Sequence, residues 1–180
     1  GSQLYAGHVS ASHAMEDLFR STGAHVRALS MPGFMDNFLR QVPALANGTV
    51  SGTHPADLRI PWTATADIAS AAARFLLDHT WTGQDSVGVL GPDDLSLNDI
   101  AQILTETLGT TIRFQPGDRT ADKRALLAHG FSEAMAQSVV DMDIAAERGI
   151  YNLLPRTPEN TGPTSFRRFA EEVIKPALAR

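Results

Sequence analysis

The run His25-Val26-Arg27-Ala28-Leu29-Ser30-Met31-Pro32-Gly33-Phe34-Met35-Asp36-Asn37 decides how this chain is read. Val26, Ala28 and Ser30 alternate with His25, Arg27 and Leu29, the period of a strand, and Gly23 just upstream suits the left-handed stop of a preceding helix. Pro32-Gly33 breaks the extended run. Phe34, Phe38 and Val42 then recur at helical spacing with Met35 and Leu39 beside them, so a short helix is predicted to follow at once. In open α/β sheets the ligand crevice lies beyond the carboxyl ends of the strands, which directs attention to residues 30–37.

Upstream, Ala14 with Leu18 and Met15 with Phe19 form i,i+4 pairs, so residues 12–22 read as a helix that puts His13 and Glu16 on one face. Residues 3–12 show no clear period and read as a frayed end or a loop. Downstream, Asn47-Gly48-Thr49 to Thr53 reads as a turn with short β-like flanks, an edge hairpin or lid. Ile60-Pro61-Trp62-Thr63 is extended, and Thr65 is placed to cap a helix with Ile68, Ala72, Phe75 and Leu76 on one stripe. Residues 86–90 form a short strand. Ser96-Leu97-Asn98-Asp99 resembles a capping box, opening a helix that ends at Gly109, and residues 111–114 give another strand. Residues 120–148 divide at Gly130 into two helices, the second starting at Ser132, that form a helical cap. A proline-rich loop over 151–163 precedes a last helix from Ser165.

The chain of 180 residues, 43% hydrophobic, is long enough to bury a core and reads as one unit of residues 1–180. A net charge of −5 with only Lys123 and Lys175 among 15 basic residues argues against a nucleic-acid partner. No apolar run approaches the roughly 20 residues of a membrane span and no basic-then-apolar leader pattern occurs, so a cytoplasmic location without a membrane partner is expected. With no cysteine, and no two of the six histidines at ligand spacing, a metal site is not expected. No G-x-S-x-G elbow is present. Tyr5 and Tyr151 are followed four residues on by Val9 and Pro155, which excludes a Tyr-x-x-x-Lys proton-transfer pair.

Taken in order, these landmarks resemble the NmrA-like, atypical short-chain dehydrogenase group of NAD(P)-binding proteins. His13-Ala14-Met15-Glu16 to Gly23 looks like that group's helix before a late sheet strand. Residues 29–37 look like its L-R-P-x-x-F-x-x-N segment, Ile60-Pro61 with Asp67-Ile68-Ala69 like its I-P…D-I-A helix entry, and Leu90-Gly91-Pro92-Asp93-Asp94-Leu95-Ser96 like its G-P-E-x-L-S turn. Thr164 to Ala170 is similar to its closing T-x-F-x-x-F-A. Ser30 and Met31 stand where Arg and Pro are common. The G-x-G-x-x-G turn of the group is missing, since no two glycines here are two residues apart. The resemblance therefore implies an α/β fold, the C-terminal part of a Rossmann-like parallel sheet with a mostly helical substrate-side cap. Residues 1–45 would be its late helix–strand–helix and residues 46–180 its substrate-side portion. The chain would then be a cleaved or excised piece, or a natural short form.

What the resemblance implies for function is a small-molecule oxidoreductase using NADP in the intact protein, with no cofactor expected for this chain alone. His13 falls where branches of the group carry an active-site Lys or His; an imidazole can give or take a proton near neutral pH, but a half-exposed helical histidine reads equally as a local contact. Phe34 and Asn37 would line the substrate pocket, or belong to core and surface respectively. Met31, Pro32 and Gly33 would pass the nicotinamide, Gly33 by close backbone approach, or form a plain strand-to-helix turn. Two other readings stand beside this one: a non-enzymatic nucleotide-sensing regulator, and a piece that self-associates through an exposed sheet edge.

Overall fold

A computed structural model describes residues 5–179. In chain order the elements are α1 (His8–Ser21), β1 (Val26–Ser30), β2 (Gly33–Phe34), a 3-10 turn Met35–Gln41, α2 (Val42–Ala46), β3 (Thr49–Gly52) and β4 (Ile60–Thr63). There follow α3 (Thr65–Leu77), β5 (Gln84–Gly88), β6 (Asp94–Leu95), α4 (Leu97–Leu108), β7 (Arg113–Pro116), α5 (Arg119–Ala128), α6 (Glu133–Glu147) and a 3-10 turn Ile150–Asn152. The closing helix, α7, is an α turn Phe166–Phe169, a π-helical stretch Ala170–Ile174 and a last turn Lys175–Leu178.

The fold is α/β with short parallel sheets, as the resemblance implies. β1 runs parallel to β5 from Val26 opposite Gln84 to Ser30 opposite Gly88, β2 parallel to β4, and β3 parallel to β7; among the described residues only the β4–β6 pair is antiparallel. Helix α4 forms where its sequence signals it. Ser96 and Asp99 cap each other's backbone N–H groups, and Gly109, at φ 72°, closes the helix in the left-handed region. The α5–α6 division near Gly130 and the starts at Ser132 and Ser165 also match, each serine hydroxyl accepting from a backbone N–H of the first turn.

Several local expectations are corrected by long-range contact. Helix α1 begins at His8, ahead of its apolar pairs, because Ala6 donates to the Ser10 hydroxyl and Gly7 is pressed on Ser138; a Cβ there would lie 1.8 Å from the Ser138 carbonyl oxygen. Gln3 and Leu4 lie outside the described residues. The Asn47-Gly48 turn does not close a hairpin: β3 pairs with the distant β7, fully burying Val50 beneath α4, and that burial outweighs the local turn signal. Thr65 does not cap α3 with its side chain; the Asp36 carboxylate accepts its backbone N–H at 2.9 Å. Phe34 remains extended, and the segment after it is a 3-10 turn that turns Met35 and Phe38 into the core.

That core lies between β4, α4, α7 and the 3-10 turn. Phe38 meets Phe166 edge-on at 5.1 Å and Trp62 at 5.2 Å between ring centroids, with Ile60, Ile100, Leu104 and Ile174 buried around them. None of the described helices is long and apolar enough to cross a membrane.

Candidate functional site

At the carboxyl end of β1 a cavity of about 480 Å³ opens between α1, the segment after β1 and the turn that follows α6. One wall is Leu29, Met31, buried Pro32 and Phe34, presented by the strand end and its break. The facing wall is Ile150, Tyr151, Leu153 and Leu154. Helix α1 supplies Ser12, His13 and Glu16, and Ser86 of β5 stands beside them.

This polar corner is tightly cross-linked. Ser86 donates to Glu16 Oε1 at 2.8 Å, Arg20 donates to the same oxygen, and Arg20 also donates to the Ser86 hydroxyl at 2.9 Å. The Arg20 guanidinium and then the Ser86 hydroxyl hold the Glu16 carboxyl below its usual pKa range. His13 Nδ1 lies 3.7 Å from Glu16 Oε2, with its side chain 65% exposed, so the imidazole stands at the mouth between solvent and an ionised carboxylate. The geometry gives a mostly apolar chamber with one acid–base group at its entrance and a fixed negative charge behind it.

His13, Met31, Pro32 and Phe34 are thus brought together. Gly33 and Asn37 are not among the lining residues. A Cβ on Gly33 would lie 2.6 Å from the Trp62 ring, so packing against β4 calls for glycine there. Asn37 is exposed because Met35 and Phe38 take the inward positions of the 3-10 turn. Sequence reading misses Tyr151, Leu153 and Leu154, which belong to a proline-rich loop about 120 residues from the strand they face; no local pattern signals that meeting. Ser86 is read only as part of a strand, and its bond to Glu16 has no sequence signature.

No Gly-x-Gly turn that could bring converging backbone N–H groups onto a pyrophosphate occurs in the chain. Among the described residues no group of three His, Asp or Glu side chains is placed to hold a metal ion.

No family model matches the chain. Prestalk A differentiation protein A of Dictyostelium discoideum is 25% identical over 168 residues, covering 89% of this chain and 54% of that protein. A nucleoside-diphosphate-sugar epimerase of Staphylococcus aureus superposes with a TM-score of 0.74 at 20% identity, over 93% of this chain and 60% of its own. An NADPH-dependent quinone oxidoreductase of Escherichia coli gives 0.73 at 22% identity, over 92% and 61%, and has also been solved complexed with NADPH. Triphenylmethane reductase of Citrobacter sp. gives 0.65 at 19% identity, over 93% and 57%. The chain has the fold of these solved proteins, in accord with the resemblance read from its landmarks, and spans 54% to 61% of the length of the proteins it matches.

Proposed function

We propose that this chain forms the substrate side of an NAD(P)H-dependent oxidoreductase of the NmrA-like, atypical short-chain dehydrogenase type, working in the cytoplasm on a small molecule. The dinucleotide-gripping part is assigned to residues outside these 180. The supporting observation is the cavity at the carboxyl end of a parallel strand, apolar on two walls and carrying His13 and Glu16 at its mouth. A bound nicotinamide supplies hydride. Met31, Pro32 and Phe34 exclude water from the reacting face, and His13, beside the Glu16 carboxylate, exchanges a proton with the substrate oxygen.

Calorimetric titration of the 180-residue chain with NADPH tests the division of labour. No binding heat is expected, and micromolar affinity overturns it. In a polypeptide that carries both parts, NADPH-dependent reduction of a quinone or aldehyde is expected, and His13→Ala is expected to lower kcat by about 100-fold. Tight cofactor binding without turnover would instead support the nucleotide-sensing alternative, which the missing Tyr-x-x-x-Lys pair favours. The free edge of β1 supports one further reading: among the described residues this strand bonds only to β5. By itself the chain would then self-associate through that edge, and a strict monomer at high micromolar concentration in sedimentation experiments counts against it.

A further inference from the structure

We infer that His54 is an acid-released latch between the β3–β4 segment and the α5–α6 cap: on taking up a proton its imidazole loosens the cap, and with it the Ile150–Tyr151 wall of the cavity. The inference does not depend on what the cavity binds. Helix α5 contains no buried residue and α6 buries only Ala136, Ala145 and Ala146, so little apolar area holds the cap in place. Polar contacts take over at residues 53 and 54. The Thr53 hydroxyl donates to the Asp143 carboxylate of α6, and the Thr53 carbonyl accepts from Arg119 of α5 at 3.2 Å, while the same guanidinium donates to Glu147.

His54 is half-buried among these groups, and its Nδ1 is buried with no hydrogen-bond partner among the described residues. A neutral ring can carry its one proton on the other nitrogen, whereas the cation must place a charged N–H at this one, where no acceptor meets it. The charges facing His54 are Arg119 of α5 and Asp143 and Glu147 of α6, with Asp122 of α5 and Tyr151 beyond Asp143. Burial lowers the His54 pKa below the usual 6.5 and Arg119 adds to that, against the opposing pull of Asp143 and Glu147, which Thr53 and Arg119 already engage. With a lowered folded value, the contribution of the neutral ring is complete above the unfolded pKa and is lost as pH falls through the folded one. Asp122 acts in the opposite sense: burial and then the Asp143 charge push its carboxyl up, so acid relieves strain there rather than adding it.

Amide exchange of the 180-residue chain tests this, measured at about pH 7 and about pH 5.5 and corrected for the intrinsic rate. In the wild type, residues 119–152 are expected to exchange about fivefold faster at the lower pH while α4 does not change. His54→Gln cannot ionise and should abolish this step. Asp143→Asn still accepts from Thr53 but no longer favours the cation, so it should enlarge the step. His8→Gln, which removes the histidine that meets Ser138 of α6, should leave it intact. The inference is overturned if the wild-type cap exchanges no faster in acid, if the step survives His54→Gln, if Asp143→Asn fails to enlarge it, or if His8→Gln removes it.

Discussion

Around α4 and α7 the side chains of Ile100, Leu104, Phe166 and Ile174 are at most 1% exposed, whereas α1 contains no buried residue and leaves Met15, Leu18 and Phe19 between 55% and 67% exposed. Leu76 and Leu77 at the end of α3 are exposed at 76% and 79%, and no residue of β1 is fully buried. A parallel sheet of two strands is not self-sufficient, because parallel sheets are ordinarily covered on both faces and gain stability from additional strands. The two regions therefore do different work. The α4–α7 half is a scaffold packed around a buried core, and the α1–β1–β5 half carries the cavity with large apolar side chains left exposed beside it.

Paired truncations break or confirm that contrast most directly. Phe166→Ala removes a ring in contact with Phe38 and Phe169 at the centre of the core and is expected to cost about 3–5 kcal/mol. Leu18→Ala, a comparable apolar deletion on α1, should cost less than about 0.5 kcal/mol in the same urea titration. Equal losses would mean that α1 is buried in solution and that the contrast is false. Gly91→Ala probes the scaffold from its backbone: the added methyl would sit 1.7 Å from the Trp62 carbonyl oxygen, so a loss of about 1–3 kcal/mol is expected. A melting temperature within a degree of wild type would show that β4 can move away.

Ser96→Ala sharpens the comparison at a smaller scale. It removes the hydroxyl that accepts the Asp99 N–H at 3.1 Å, and about 1 kcal/mol should be lost. The same substitution at Ser12 of α1, whose hydroxyl donates to the His8 carbonyl within the helix, should be close to neutral. If both variants melt alike, capping does not distinguish the halves.

The same division explains what can be read from the sequence. Helix α4 is legible because the Ser96–Asp99 box, the Ile100, Ile103, Leu104, Leu108 stripe and Gly109 all report one local structure that tertiary packing then reinforces. β1 is legible through its alternation and the break at Pro32. β3 is not legible as a partner of β7, because Gly48 presents a good turn and only the burial of Val50 against α4 decides between partners. At the cavity, His13, Met31, Pro32 and Phe34 follow from strand-end logic and the family resemblance. Tyr151 does not, since its place depends on how α6 ends against β4. Asn37 is placed at the pocket by the resemblance alone, and in the structure it lies exposed on the 3-10 turn.

Glu16 provides the finest test, because its bond from Ser86 is the ionisable one among those that tie α1 to the sheet, beside the bonds from Arg20 to Ser86 and from Gln84 to the Arg20 carbonyl. Its folded-state pKa is lowered from the ordinary 4.5, first by the Arg20 hydrogen bond and then by that of Ser86. A lowered folded value means the carboxylate stabilises the folded chain fully above the unfolded pKa, and that contribution is lost as pH falls through the folded one. Below about pH 4.5 the wild type should therefore loosen at α1 first, seen as faster amide exchange in residues 8–21 and 26–30 than in α4. Glu16→Gln keeps the shape but cannot ionise, so its exchange in α1 should already be raised at pH 7 and change less on acidification. Should the variant show the same acid response as the wild type, the loosening of α1 at low pH comes from a group other than this carboxylate.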